Sequence, residues 1–278
     1  MTTTRDNLAF DLVKSDGETQ TFDPEKLRAS LERTGAGEAV IDEVLADIAS
    51  SDLRNMTSGK IFNIAFRRLR QHAPASAGRY RLKRAIFDLG PSGFPFEHFV
   101  GELFAHQGYD VEVGVILEGA CVGHEVDVLA TKDQTTRLIE CKFHRNPSHK
   151  STIQVPLYID SRFRDIRNAT PDQADRIEGW IFTNTRFSTD AHQYGACAGL
   201  HLVDWDSPQE GSLKMRIDGS GLHPITCLAS LSRQDKKAIL DEGIVLCRDL
   251  NEDVLRAHHL AERKIQRTLI ECEGIIGR

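Results

Sequence analysis

The chain has 278 residues, 27% of them charged and 40% hydrophobic, with a formal net charge of −6. That length suits two or three domains with sizeable cores, and the acidic balance does not announce a nucleic-acid binder. No apolar run approaches the roughly 18 residues of a membrane span, and the opening Met-Thr-Thr-Thr-Arg-Asp carries no apolar stretch of a secretory signal. The expectation is a cytoplasmic protein with no membrane partner. Cysteines at 121, 141, 197, 227, 247 and 272 form no C-x-x-C pair, so neither a disulfide framework nor a zinc ribbon is suggested.

In chain order, residues 10–22 hold two strand-like pieces around a Ser15-Asp16-Gly17 turn. Asp23 then reads as an N-cap, with Pro24 as the first residue of a helix over 24–34. The spacing predicts further amphipathic helices near 38–50, 57–71 and 76–88, with Ile61, Ile64, Ala65 and Leu69 as a clear stripe. Arg67, Arg68, Arg70, Arg79, Arg81, Lys83 and Arg84 form a basic cluster with few acids nearby, which leaves these cations free for a polyanion or another subunit. There is no G-x-x-x-x-G-K-[ST], so this region is not a P-loop. Gly90-Pro-Ser-Gly-Phe-Pro95 reads as a linker.

Beyond it, Phe96, Phe99, Val100, Leu103 and Phe104 mark one face of a helix that Gly108 ends. A strand follows from Tyr109. His124 to Ala130 and Leu138 to His144 are short apolar runs interrupted by acids and joined by a polar turn, which predicts a β-hairpin. Strand alternation puts Glu140 and Lys142 on one face, and Glu125 with Asp127 on one face of the other strand. Charges on apolar strands are costly unless paired or metal-bound. Asp127 and Glu140 offer hard oxygen ligands for Mg²⁺ or Mn²⁺, and Lys142 can position an attacking water and meet charge developing at phosphorus. Cys141 points to the opposite face and reads as core. Between Glu140 and Asp160 there are no acids, while Lys142, His144, Arg145, His149 and Lys150 all fall there, a place where a phosphate backbone could lie. A helix over 151–167, strands near 178–183 and 200–205 and a helix near 188–199 follow, with polar 183–187 as a loop open to substrate. From Pro224 the pattern is helical, with a capping box at Ser232 and Asp235, a second helix after Gly243, and a longer charged helix over 252–271.

Asp127, Glu140 and Lys142 resemble the PD-(D/E)xK nuclease superfamily near its Mrr-type restriction enzymes, with Val126 where that pattern has Pro. The element order α-β-β-β-α-β-α-β is similar to a restriction-endonuclease-like core entered by a Phe-Glu-x-x-Val helix. The resemblance implies that Glu97 joins the metal site. Residues 8–90 resemble the ATP-cone, the nucleotide-binding domain at the front of ribonucleotide reductases. Val13-Lys14-Ser15-Asp16-Gly17 stands for its V-x-K-R-D-G element, with Ser15 in the place of Arg. Asp23 and Lys26 match its (N/D)-x-x-K step, and Tyr80 to Phe87 its closing helix. The resemblance implies ATP or dATP as regulatory ligand, with Lys14 and Lys26 on the phosphates and Thr57 near the base or sugar.

The fold expected is a multidomain α+β and α/β chain: a hairpin plus four-helix cone at 1–90, a linker at 91–95, a nuclease-like core with a mixed sheet at 96–223, and a helical domain at 224–278. The function expected is a divalent-metal-dependent DNA endonuclease regulated by adenine nucleotide, acting as a homo-oligomer. The alternative is a non-catalytic, nucleotide-sensing DNA-binding or assembly protein on a nuclease-like fold.

Overall fold

In the N-terminal region a short antiparallel pair, β1 (Asp11–Val13) and β2 (Thr19–Thr21), precedes five helices. The computed structural model describes residues 10–13 and 19–277, so Lys14, Ser15, Asp16 and Gly17 lie outside the described residues. The helices are α1 (Pro24–Glu32), α2 (Glu38–Ala49), α3 (Ser58–His72), α4 (Pro74–Tyr80) and α5 (Leu82–Phe87). Asp23 launches α1 by accepting from the N–H groups of Glu25 and Lys26, with Pro24 in the first turn. Leu27, Leu31, Ile41, Val44, Ile48, Ile61, Ala65 and Leu69 close around Leu12 and Phe22 as one core.

The helix expected over 76–88 is two helices, broken at Arg81. The break is a packing device: Ala77 belongs to the N-terminal core, whereas Leu82, Ala85 and Ile86 belong to the central one. The expected linker is also packed. Leu89 and Pro95 are buried, and Phe94 and Pro95 already belong to α6 (Phe94–Ala105), since proline suits a helix's first turn. Gly90 sits so tightly on the Phe143 ring that an added Cβ would come within 2.3 Å of it.

The central sheet holds β3 (Asp110–Glu118), β4 (Gly123–Lys132), β5 (Thr135–Lys142), β7 (Ile177–Thr183) and β9 (Leu200–Val203) in that order, and a small parallel pair joins β6 (Lys150–Ser151) to β8 (Arg186–Phe187). The first three strands of the main sheet are antiparallel; β5, β7 and β9 run parallel. Asp133 and Gln134, at φ 47° and 68°, make the β4–β5 connection a two-residue turn of the primed kind that matches strand twist. One face packs under α7 (Gln154–Ala169) and α8 (Thr189–Ala198) through Val126, Leu138, Ile159, Phe163, Ile181 and Leu202.

The other face meets α6, α9 (Leu213–Ser220) and the C-terminal helices α10 (Arg233–Asp241), α11 (Glu252–Ala257) and α12 (Glu262–Ile276). Ser232 and Asp235 form the expected capping box. The helix expected over 252–271 is instead α11 and α12, interrupted near His259 at φ 58°. Ile239, Leu246, Leu255, Ile265 and Ile275 share one core with α5, α6 and the sheet, so the C-terminal helices cover the core.

Several of the clustered cations are engaged. Arg68 clamps Asp47 at 2.7–3.0 Å, and Arg81 donates to Asp88 at 2.7 Å. Arg79 donates to the carbonyls of Ile275 at 2.9 Å, Gly274 at 2.8 Å and Thr34 at 3.2 Å, tying α4 to the end of α12 and to α1. The expectation that the cluster stands free fails for these three: Arg68 and Arg79 find partners on distant segments, and Arg81 finds Asp88 at the end of α5. Among the described residues no helix is long and apolar enough to cross a membrane.

Candidate active site

Val113 pairs with Val128 and faces the α6 side, whereas Val115 pairs with Val126 and faces the α7 side. Between these pairs the strands exchange faces, with Gly114 at φ +68° and Asp127 at the crossing. Only glycine takes that backbone geometry without strain. The β4–β5 ladder ends at Val128 and Ile139, and one step further Asp127 Oδ2 accepts the Cys141 N–H at 2.7 Å. The side chain thus replaces a backbone partner and is held beside Glu140.

Glu140 is 3% exposed. Its Oε1 takes the Lys142 ammonium, and its Oε2 accepts from Arg162 Nη1 at 2.9 Å. Arg162 lies on α7 and also donates to the Glu125 carbonyl. Cys141, on the opposite strand face, is core, and burial pushes its thiol well up. Glu97 reaches the same cluster from the first turn of α6. Burial, then the charges of Asp127, Glu125 and Glu140, push its carboxyl up to about 7. Burial, followed by Glu140, pushes Asp127 up to about 6, and the Cys141 N–H works against the rise. The structure therefore brings Glu97, Asp127, Glu140 and Lys142 together.

Among the described residues no group of three or more His, Cys, Asp or Glu side chains stands ready to hold a metal ion. The donors present nevertheless fit a hard cation. Mg²⁺ is commonly held by one or two carboxylates with waters completing its shell, and Asp127 and Glu140 supply two. Burial first, and neighbouring acids after it, raise the Asp127 and Glu97 carboxyls, and a bound cation would favour their ionised forms.

The polar stretch after β7 differs from its expected role. Thr183, Asn184 and Thr185 are buried and serve the backbone. Asn184 brackets His144, its Oδ1 accepting from the His144 N–H and its Nδ2 donating to the His144 carbonyl, both at 2.8 Å. Thr183 Oγ1 donates to the Lys142 carbonyl at 2.8 Å. These bonds fix the exit of β5, and with it Lys142. His144 contributes no charge to the adjoining basic segment: burial, then His149 and Lys142, hold its imidazole down at about 4. Arg162 is the site residue the sequence does not reveal, because it reaches Glu140 from a separate helix. Only its i,i+4 relation to exposed Tyr158, whose ring it overlies at 5.6 Å, marks that face.

Of the expected nucleotide contacts within the described residues, Asp23 caps α1 and Thr57 caps α3, accepting from the Lys60 N–H at 3.2 Å. Lys26 is exposed.

The family model described as restriction endonuclease matches residues 91–207, and that described as AF1548-like, C-terminal, matches 223–276. An uncharacterized protein of Archaeoglobus fulgidus is 34% identical over 185 residues, 64% of this chain and all of that protein. The crystal structure of AF1548, a protein of unknown function, superposes with a TM-score of 0.57 at 31% identity over 67% of this chain and 99% of that one. Can2 from Sulfobacillus thermosulfidooxidans, in complex with cyclic tetra-adenylate, covers 64% of this chain and 48% of its own at 14% identity. Its TM-score of 0.32 is too low to bear on function. The chain belongs to the AF1548-like family, a restriction-endonuclease-like domain joined to the AF1548-like C-terminal domain.

Proposed function

We propose that the protein is a divalent-metal-dependent DNA endonuclease, and that ATP or dATP bound by its N-terminal region regulates it. The supporting observation is the gathering of Glu97, Asp127, Glu140 and Lys142 at the Gly114 crossing, inside a restriction-endonuclease-like domain. Asp127 and Glu140 would hold Mg²⁺ or Mn²⁺ as two carboxylate ligands, with Glu97 as an acid beside them. When bound, such an ion supplies polarisation of a phosphoryl oxygen and acidifies a coordinated water. The Cys141 N–H holds the Asp127 carboxylate in place, and Arg162 holds the Glu140 carboxylate in its orientation. Lys142, once released from Glu140, orients the attacking water and meets the charge developing on the phosphate. The acid-free segment 141–159 gives the DNA backbone a course beside these groups. Lys14, Ser15, Asp16, Gly17, Asp23, Lys26 and Thr57 are the proposed nucleotide contacts, a reading supported by the hairpin and helix order of residues 10–87.

A second reading has one observation in its favour. Both Glu140 oxygens already hold cationic side chains, so the carboxylate is balanced without a metal. That suits a non-catalytic DNA-binding or assembly protein. A cleavage assay on supercoiled, linear and single-stranded DNA, with Mg²⁺ or Mn²⁺ and with or without ATP and dATP, separates the two. Cation-dependent cuts support the endonuclease; DNA binding without cuts under every condition selects the second reading.

A further inference from the structure

Arg33 at the end of α1, Lys83 on α5 and Lys214 on α9 come from distant parts of the sequence, yet they line one cavity of about 540 Å³. None of the three forms an ion pair among the described residues. Asp218 is the acid on this wall. The charges of Asp206 and Asp204 reach Lys83 without an ion pair, and three cations facing one hollow with a single acid in its lining are an arrangement that attracts an anion. The cavity is also built rather than incidental. Arg79, bonded to three carbonyls of α1's exit and α12, forms part of its lining. His223, 6% exposed, stands in the wall with its Nδ1 donating to the Gly221 carbonyl at 3.1 Å. Trp205 adds an aromatic surface, with the Lys83 ammonium 5.4 Å from its ring centre.

We propose that this cavity binds a small polyphosphorylated molecule, and that the ligand clasps the N-terminal helices, the sheet domain and the C-terminal helices together. The volume lies in the range of small-molecule sites, and a concave hollow walled by three segments suits a compact anion better than a DNA strand. The lining includes neither Asp127 nor Glu140, so the site stands whether or not the nuclease reading holds.

The test is calorimetric titration of the full chain with tripolyphosphate and with ATP. Wild type is compared with the Lys83→Ala, Lys214→Ala double variant, with Lys214→Arg, and with Lys26→Ala. Saturable binding is expected, weakened at least tenfold in the double variant and kept in Lys214→Arg, and for tripolyphosphate it is kept in Lys26→Ala as well. Melting temperatures verify that each variant is folded; no hydrogen bond of either lysine side chain is lost among the described residues. Tighter binding of ATP than of tripolyphosphate would assign the Trp205 side to a base, and equal binding would assign the cavity to the phosphates alone. Absence of saturable binding to wild type overturns the proposal, and so does tripolyphosphate binding lost in Lys26→Ala but kept in the double variant.

Discussion

Glu97 concentrates the electrostatic tension of the site. Its carboxyl, ordinarily near 4.5, is pushed up to about 7, first by burial and then by Asp127, Glu125 and Glu140. An acid with a raised folded-state value holds its proton more tightly when folded. The associated stability is therefore full below 4.5 and is lost as pH rises through about 7. Glu97→Gln removes that loss. In metal-free protein at pH 8 it is expected to raise stability by about 1 kcal/mol after discounting for partial exposure, or about 2–4 °C, with no gain at pH 4. A melting series across pH checks this. A midpoint at pH 8 that stays level or falls would remove Glu97 from the acidic cluster.

At the scale of elements, the loop after β7 acts as a clamp on the end of β5. Asn184→Ala leaves the half-buried His144 N–H and carbonyl without their side-chain partner, with an expected cost of about 1–3 kcal/mol. Amide exchange at residues 142–144 should rise more than exchange in the central strands, and uniform exchange across β5 would contradict the clamp. The hairpin itself was legible in the sequence, because two apolar runs carrying Asp127, Glu140 and Lys142 alternate cleanly around a polar turn. The face exchange at Gly114 was not, since alternation gives a strand's period but not where its phase slips. The break at Arg81 was equally hidden: Tyr80-Arg81-Leu82-Lys83 has nothing that ends a helix, and the bend is imposed by two separate cores. Residues 90–95 have loop composition, yet Gly90 packs on Phe143 and Phe94 and Pro95 already open α6, which leaves exposed Pro91 and Ser92 with Gly93 as the short connection. Arg68 and Arg81 read as free cations because Asp47 and Asp88 sit outside the run. Of the site, the acids and the lysine could be read from spacing; Arg162 could not, because nothing local ties α7 to Glu140.

Across the whole molecule one core runs from α5 through α6 and the sheet to α12. Removing residues 224–278 would strip Ile225, Leu228, Ile239, Leu246, Leu255, Ile265 and Ile275 from it, each at most 1% exposed. Apolar burial on that scale is worth many kcal/mol, so the truncated chain is expected to lose cooperative melting. A sharp melting transition retained by residues 1–223 would show an independent C-terminal domain. The N-terminal helices form a separate core joined to this one at Arg81 and through Arg79, so nucleotide bound near α1 would act on the sheet across that junction, and only to the extent that it binds the active arrangement more tightly. The central claim remains the cluster at Asp127, Glu140 and Lys142. Its most direct measurement is single-turnover cleavage of DNA with Mg²⁺ or Mn²⁺ by wild type and by Lys142→Ala, with DNA affinity and melting temperature recorded in parallel. Cation-dependent cleavage by wild type is expected, reduced at least a thousandfold, about 4 kcal/mol, in the variant while affinity and fold are kept. Equal cleavage by Lys142→Ala would contradict the account and place the chemistry elsewhere.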